Sequence, residues 1–155
     1  MYSSRSIRLQ NDYLAMEQIR SETIQWEPGD VRQPPEKYFV QYNLRGMSSP
    51  DFYCDKHLVE IKLLAEYPMR PPVARFVSHP QLFHPHVFDT GLICIGGYSP
   101  DESLAALCLR IARYIQYQPH LIDTRSPANL SALEWFKRNR EYLPVDATPL
   151  PELPD

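Results

Sequence analysis

The sequence predicts an α+β domain: an N-terminal helix, an antiparallel β-meander, a long irregular segment and two further helices. Three observations predict this order. Apolar residues recur every three or four positions near the start, three segments between residues 37 and 77 alternate in polarity, and two helix-start signals follow residue 98. Consecutive strands on short connections pair antiparallel, which gives the meander.

Length and composition bound the class of protein. The chain has 155 residues, 43% of them apolar and 23% charged, with a net charge of −3. This composition is typical of one globular domain, and the charge argues against a protein that follows a nucleic-acid backbone. The start "MYSSRSIRLQ" does not resemble a signal peptide, and no apolar run is long enough to cross a bilayer. We expect a cytoplasmic protein with three free thiols, no cofactor and no nucleic-acid or membrane partner.

The first half of the chain is predicted to hold one helix and three strands. The helix covers residues 5–25, because apolar side chains recur at helical spacing after Ser3 and Ser4, which can cap its start. Its apolar positions are Leu9, Tyr13, Met16 and Ile19. Residues 37–46, 52–63 and 73–77 alternate as strands do, and the segments between them contain glycine or proline.

The second half is predicted to begin with an irregular segment and to end with two helices. Residues 79–97 show no periodicity although they are not notably polar. A helix is predicted from Ser99 as its cap to Pro119, and another from Ser126, which precedes a proline. The acidic, proline-rich residues 144–155 are predicted to form an extended or disordered tail outside the domain of residues 1–143.

The three cysteines differ in their surroundings. Cys108 lies on the apolar face of a predicted helix and is expected in the core, and Cys54 at a strand start is expected to be structural. Cys94 lies in the irregular segment, where it is a core thiol, a nucleophile or a metal ligand with His84 and His86. The paired-cysteine spacing of structural zinc sites is missing, and a Cys–His hydrolase would need a third group to orient its base.

Four motifs resemble the ubiquitin-conjugating enzyme family. "YPMRPPVARF" is similar to the family's Tyr-Pro-x-x-Pro-Pro signature, and "HPHVFDTGLIC" is similar to its His-Pro-Asn block with the active-site cysteine. "YSP" at 98–100 and "SPAN" at 126–129 resemble the starts of the family's next two helices. The matching positions of the first two motifs are Tyr67, Pro68, Pro71, Pro72, Phe76, His84, Pro85, Gly91, Ile93 and Cys94.

The resemblance implies a UBC-like fold and a transfer reaction on Cys94. A ubiquitin-like modifier would arrive from an ATP-dependent activating enzyme, form a thioester with Cys94 and pass to an amine of a protein target. The modifier's C-terminal peptide would lie extended in a shallow groove, where Gly96 and Gly97 give clearance and Tyr98 is a further binding residue. The proline pair of the first motif is expected to shape the end of the meander.

Four residues around the cysteine receive roles from the same resemblance. His86 stands where the family has Asn, and it is either a donor to the oxyanion or a residue that stiffens the loop. His84 is expected to be structural and to bond backbone. Ser126 is either a residue at the rim of the groove that assists the amine or a helix cap, and Asp123 is the alternative carboxylate for that assistance.

The sequence also departs from the family pattern. The stretch after Cys94 is short and glycine-rich, Gly46 lacks the usual following proline, and no further helix is predicted after Leu143. These features resemble compact bacterial relatives that serve ubiquitin-like conjugation systems, some of them linked to phage defence. The alternative function is a non-catalytic module of the same fold that binds a ubiquitin-like protein, but such modules lack the cysteine.

Overall fold

The computed structural model describes residues 3–153, and its elements follow the predicted order. Helix α1 spans Ser4–Gln18, α2 spans Leu104–Ile115 and α3 spans Leu130–Arg138. The strands are β1 Ile24–Pro28, β2 Lys37–Tyr42, β3 Gly46–Ser49, β4 Phe52–Cys54, β5 His57–Lys62 and β6 Val73–Phe76. A short 3-10 helix, Pro119–Leu121, lies between α2 and α3. The predicted α+β class is therefore confirmed.

The main sheet has four antiparallel strands in the order β1-β2-β5-β6, and β3 and β4 form a separate hairpin. The register places Val40 of β2 opposite Val59 of β5, and Tyr38 opposite Ile61. These four side chains are fully buried because alternate residues of each strand face the same side. That side packs against the apolar faces of α1 and α2 in one core cluster.

The first predicted helix is too long. Helix α1 ends at Gln18, and residues 24–28, where the sequence predicted the end of a helix and the start of a loop, form strand β1. Ile24 and Trp26 alternate with exposed residues and pair with β2, so their burial in the sheet outweighs any local helix preference. The indole N–H of Trp26 donates to the carbonyl of Met16 at 2.8 Å, and this bond joins strand β1 to helix α1.

The predicted strand over residues 52–63 is two strands, separated at Asp55 and Lys56. Part of the predicted turn before it belongs to β3, which starts at Gly46. A side chain on Gly46 would collide with Leu82 and His57, so the hairpin can lie close to the core only because this residue is glycine.

Both late helices start later than predicted. The cap of α2 is Ser103, not Ser99, and its hydroxyl accepts the N–H of Ala106. The cap of α3 is Asn129, not Ser126, and its side chain accepts the N–H of Ala132. All four residues are good cap types, so tertiary contacts decide which one serves.

The C-terminal tail is extended, as predicted, but it contacts the domain. Leu150 and Leu153 are half-buried and pack against the main core cluster. The side-chain amide of Gln116 donates to the carbonyl of Thr148 at 2.7 Å, and the N–H of Asp146 donates to the carbonyl of Gln116 at 3.0 Å. The expectation that the tail takes no part in the core is therefore wrong for these residues. Two leucines are enough to pack the tail against the core, even though its sequence has no regular apolar spacing. Residues 154–155 lie outside the described part, and the division at 143 stays a prediction.

Over residues 3–153, no helix is both long enough and apolar enough to cross a membrane.

Removal of residues 144–155 should lower the free energy of unfolding by about 2 kcal/mol, because two half-buried leucines and one buried amide lose their partners. Urea denaturation of the full and truncated chains measures the change. The double substitution Leu150→Ala, Leu153→Ala should reproduce most of it, and Glu152→Ala, which alters an exposed side chain, should not. Equal urea midpoints for the full and truncated chains would show that the tail contributes nothing.

Candidate active site

The irregular segment between β6 and α2 follows the edge of the main sheet before it reaches Cys94. The N–H of Ile93 donates to the carbonyl of Ala74 at 2.9 Å, and the N–H of Phe76 donates to the carbonyl of Gly91 at 2.8 Å. Gly91 has a φ of +88°, and a side chain there would collide with the carbonyl of Phe76. Glycine is therefore required where the segment turns back towards the sheet.

Cys94 is the partly exposed thiol at the end of this turn. Its backbone N–H donates to the carbonyl of His86 at 2.7 Å, which fixes the backbone from which the side chain projects. Cys108 is fully buried in α2, as predicted, and burial raises the pKa of its thiol to about 12. Cys54 ends strand β4 in the separate hairpin. Cys54 and Cys94 are both partly exposed, and Cys94 is the one that lies in the irregular segment.

His86 bridges two loops with its ring. Its Nε2 accepts the backbone N–H of Asp123 at 3.0 Å, and its Nδ1 lies 3.2 Å from the carbonyl oxygen of Cys94. Because a backbone N–H requires an acceptor and a carbonyl requires a donor, the network assigns the proton to Nδ1. Both ring nitrogens are therefore engaged, and the ring joins the backbone of Cys94 to that of Asp123.

Burial keeps the two histidines of this site neutral. Burial lowers the pKa of His86, although the bond to the Cys94 carbonyl acts in the opposite direction. Burial also lowers the pKa of His84 well below its ordinary value, and the neighbouring His86 adds to this effect. The Nδ1 of His84 accepts the backbone N–H of His86 at 3.0 Å, while its Nε2 is buried with no partner among residues 3–153. A charge on either ring would thus be poorly compensated.

The loop before α3 forms the opposite wall of the site. The N–H of Ala128 donates to the carbonyl of Pro85 at 2.8 Å, so this loop is held to the histidine segment. Ser126 is exposed in the loop, three residues after Asp123, and it does not cap α3. The Asp123 carboxylate accepts the guanidinium of Arg125 at 3.1 Å, and this bond lowers the pKa of Asp123. Asp123 is therefore ionised at neutral pH.

The glycines after Cys94 leave open space beside it. A Cβ on Gly96 would meet only the Cε1 of His86, at 4.0 Å, and one on Gly97 would meet nothing within 4 Å. Tyr98 follows, and its hydroxyl donates to the carbonyl of Pro68 at 2.7 Å. The surface over Gly96 and Gly97 is called the glycine groove below.

The first motif is held to helix α1 through Tyr67. Tyr67 is buried, and its hydroxyl donates to Asp12 of α1 at 2.5 Å. Pro68, Pro71 and Pro72 belong to the connection between β5 and β6, which is where the sequence predicted the end of the meander. Through Tyr98 and Pro68 this connection also touches the segment that follows Cys94.

Three residues of α2 and its approach that were not predicted from the sequence border the site. Arg110 donates to the carbonyl of Gly96 and pairs with Glu102. The ring of Tyr114 stacks on His86, with centroids 5.1 Å apart and planes 9° apart. Glu102 and Arg110 are eight residues apart, which is not a spacing of neighbours on a helix, so no local pattern indicates the pair.

No group of three or more His, Cys, Asp or Glu side chains within residues 3–153 is arranged to hold a metal ion.

Comparisons with known proteins agree on one family. The family model described as ubiquitin-conjugating enzyme matches residues 8–144. "Ubiquitin-conjugating enzyme E2 2" of Aspergillus fumigatus is 37% identical over 83 residues, which are 50% of this chain and 51% of that protein. The protein of the same name from Neurospora crassa is 35% identical over 80 residues, 49% of each chain. The chain therefore spans about half the length of the curated relatives it matches.

A solved structure described as a novel ubiquitin-conjugating enzyme has a TM-score of 0.62 to this chain at 19% identity, and the match covers 89% of this chain and 88% of that one. At this identity the likeness concerns the fold alone. The order of elements and the cysteine segment define a UBC fold. Since the family model covers most of its length, the chain belongs to the ubiquitin-conjugating enzyme family, and the resemblance read from its motifs is confirmed.

Stability should fall as the pH drops below about 6.5, because the unfolded chain then binds protons that folded His84 and His86 resist. The lowered pKa values give this sign, since the unfolded state binds more protons in that range. The asparagine of His86→Asn cannot titrate. The slope of the free energy of unfolding against pH should therefore decrease in this variant, by the equivalent of up to about one bound proton per molecule. Urea denaturation at several pH values between 5 and 8 measures both slopes, with His120→Asn outside the site as the control. Identical slopes for His86→Asn and the unsubstituted chain would contradict a lowered pKa for His86.

Proposed function

We propose that this protein accepts ubiquitin or a ubiquitin-like protein from an ATP-dependent activating enzyme as a thioester on Cys94 and transfers it to an amine of a protein target. The observation that carries this proposal is the partly exposed Cys94 thiol beside the open glycine groove, in a chain of this family. A reducing cytoplasm is the compartment that suits a free catalytic thiol.

The first step is an exchange of thiols. The Cys94 sulfur, as the thiolate, attacks the thioester carbonyl that joins the modifier to the activating enzyme. A new C–S bond forms to Cys94, the old C–S bond breaks, and the activating enzyme's thiolate leaves. The modifier's C-terminal peptide must then lie beside Cys94, and the glycine groove is the surface there that has no side chains to block it.

The second step transfers the acyl group to nitrogen. The amine attacks the thioester carbonyl, a C–N bond forms, the amine's proton passes to water, the C–S bond to Cys94 breaks and the Cys94 thiolate leaves. Negative charge develops on the carbonyl oxygen, and the amine's proton needs an acceptor. Ser126 and Asp123 lie on the loop that faces Cys94 across His86. The ionised Asp123, although paired with Arg125, is the carboxylate of this loop that we assign to attract and orient the amine.

The sequence left two roles open for His86, a donor to the oxyanion or a residue that stiffens the loop. We propose the second. A donor to the oxyanion must have a free N–H, but the Nδ1 proton of His86 is directed at the Cys94 carbonyl and its Nε2 accepts from Asp123. The ring would have to give up one of these bonds to reach the oxyanion. Its bridge instead holds Cys94 and the facing loop at a fixed separation, which favours reaction through orientation.

Incubation with ubiquitin, a ubiquitin-activating enzyme and ATP should produce an adduct that reductant removes. Cys94→Ser should give an adduct that resists reductant, because an oxygen ester replaces the thioester, and Cys94→Ala should give none. Cys54→Ser and Cys108→Ala are matched thiol controls and should still charge. Non-reducing and reducing gels read the result. Normal charging of Cys94→Ala would refute the assignment, and binding of ubiquitin without any adduct would favour the non-catalytic module.

Gly96→Ala separates the groove's role from any structural role of the glycine. Gly96 has no positive φ and its added methyl would make only an ordinary contact with His86, so the melting temperature should change little. The methyl would project into the glycine groove, and the rate of charging should fall by about tenfold through misplacement of the modifier's peptide. Initial rates of thioester formation measure this effect, with Ala128→Gly on the facing loop for comparison. Unchanged charging by Gly96→Ala would mean that the modifier does not use this surface.

A further inference from the structure

The segment after Cys94 is held at its two ends, because Ile95 packs against the main core and the hydroxyl of Tyr98 donates to the carbonyl of Pro68, but little holds the two glycines between them. Within the described residues, no backbone–backbone hydrogen bond of ordinary length and angle involves residues 95–98. Gly96 and Gly97 carry no side chains, and Gly97 has a φ of +65°. Two adjacent glycines lose much conformational freedom when they are ordered. One defined conformation for these two glycines therefore requires a contact from elsewhere in the protein.

Arg110 of α2 makes that contact. Its Nη1 donates to the carbonyl oxygen of Gly96, and the same nitrogen donates to the hydroxyl of Tyr114 at 3.2 Å. Its Nε and Nη2 donate to the two carboxylate oxygens of Glu102 at 3.0 and 2.8 Å. A two-point pair between guanidinium and carboxylate fixes the plane of the guanidinium, and Arg110 is only 15% exposed. The third nitrogen is thereby directed at Gly96.

The same arginine connects to the other side of Cys94. The ring of Tyr114, whose hydroxyl accepts from Arg110, stacks on His86, and His86 donates to the carbonyl of Cys94. Cys94 thus lies between two side chains that bond to backbone carbonyls, His86 at Cys94 itself and Arg110 two residues later. Tyr114 contacts both of these side chains, Arg110 through its hydroxyl and His86 through its ring.

We infer that Arg110, oriented by Glu102, is a positioning residue for the glycine groove: it fixes the Gly96 carbonyl and so the path of the modifier's peptide past Cys94. Its effect on transfer rests on the proposed function, whereas its effect on the order of residues 95–98 does not. A lysine cannot take this role, because one ammonium group on a flexible stem cannot hold the two-point pair and Gly96 in a fixed plane.

The first arm of the test measures the segment in the free protein. Arg110→Met keeps the aliphatic stem and removes every hydrogen bond of the guanidinium. The backbone order parameters of Gly96 and Gly97 should fall from about 0.85 to below about 0.6 in ¹⁵N relaxation measurements. Arg113→Met is the matched control, since Arg113 lies three residues further along α2 and its side chain makes no hydrogen bond within residues 3–153. Its order parameters at Gly96 and Gly97 should equal those of the unsubstituted chain.

The second arm measures discharge of the Cys94 thioester to free lysine. Arg110→Met should lower the rate constant at saturating lysine by about tenfold or more, as expected for a misplaced reacting group. The lysine concentration at half the maximal rate should stay within about twofold, because lysine does not contact Gly96. Glu102→Gln leaves Arg110 in place and removes one oxygen of the pair, so it should give a smaller loss of the same kind. If Arg110→Met does not fold, Glu102→Gln is used in its place in both measurements.

Two results would overturn the inference. Order parameters at Gly96 and Gly97 that are unchanged in both Arg110→Met and Glu102→Gln would mean that Arg110 does not hold the segment. Reduced order with an unchanged rate of discharge would mean that holding the segment has no effect on transfer. Failure of the unsubstituted chain to form any thioester would remove the proposed function instead, and the relaxation measurements would still decide whether Arg110 holds the segment.

Discussion

The buried carboxylate of Asp12 is the interaction on which the positions of the other elements depend. It is 1% exposed in α1, yet it has three donors: the N–H of Leu104 at 3.0 Å, the hydroxyl of Tyr67 at 2.5 Å and the Nε of Arg8 at 3.1 Å. An uncompensated buried charge would cost several kcal/mol, but here every partner comes from a different part of the fold or from the neighbouring turn. The carboxylate also lies at the N-terminus of α2, where the helix dipole favours it.

The geometry of the candidate site follows from this junction. Arg8 also donates to the carbonyls of Pro100 and Glu102, which fixes the approach to α2. Glu102, held in this way, orients Arg110, and Arg110 holds Gly96. A chain of hydrogen bonds thereby links the first helix and the approach to α2 with the segment that contains Cys94. The site thus has a hydrogen-bonded frame around a surface that is nearly bare of side chains, and this is the surface to which the proposed function assigns the modifier's C-terminal peptide.

The sequence predicted what depends on local pattern. The alternation in residues 37–63 gave the central strands, and the motif around Cys94 gave the family. It missed β1, because Ile24 and Trp26 follow a helical stripe and only pairing with β2 makes them a strand. The predicted caps Ser99 and Ser126 were wrong, although both are good cap residues. Hydrogen bonds from Arg8 to Pro100 and from Ala128 to Pro85 fix the backbone next to them, and both helices start further along the chain. A role for His86 could not be decided, since it depends on partners eight and 37 residues away.

In the proposed function, Cys94 carries the modifier through a thioester. Intact-mass measurement after a brief incubation with ubiquitin, a ubiquitin-activating enzyme and ATP tests it most directly. We expect an increase equal to the mass of ubiquitin less one water, removal of that increase by neutral hydroxylamine, and location of the adduct at Cys94 by peptide mapping. An adduct that survives hydroxylamine, or one that maps to Cys54, Cys108 or a lysine, would contradict it.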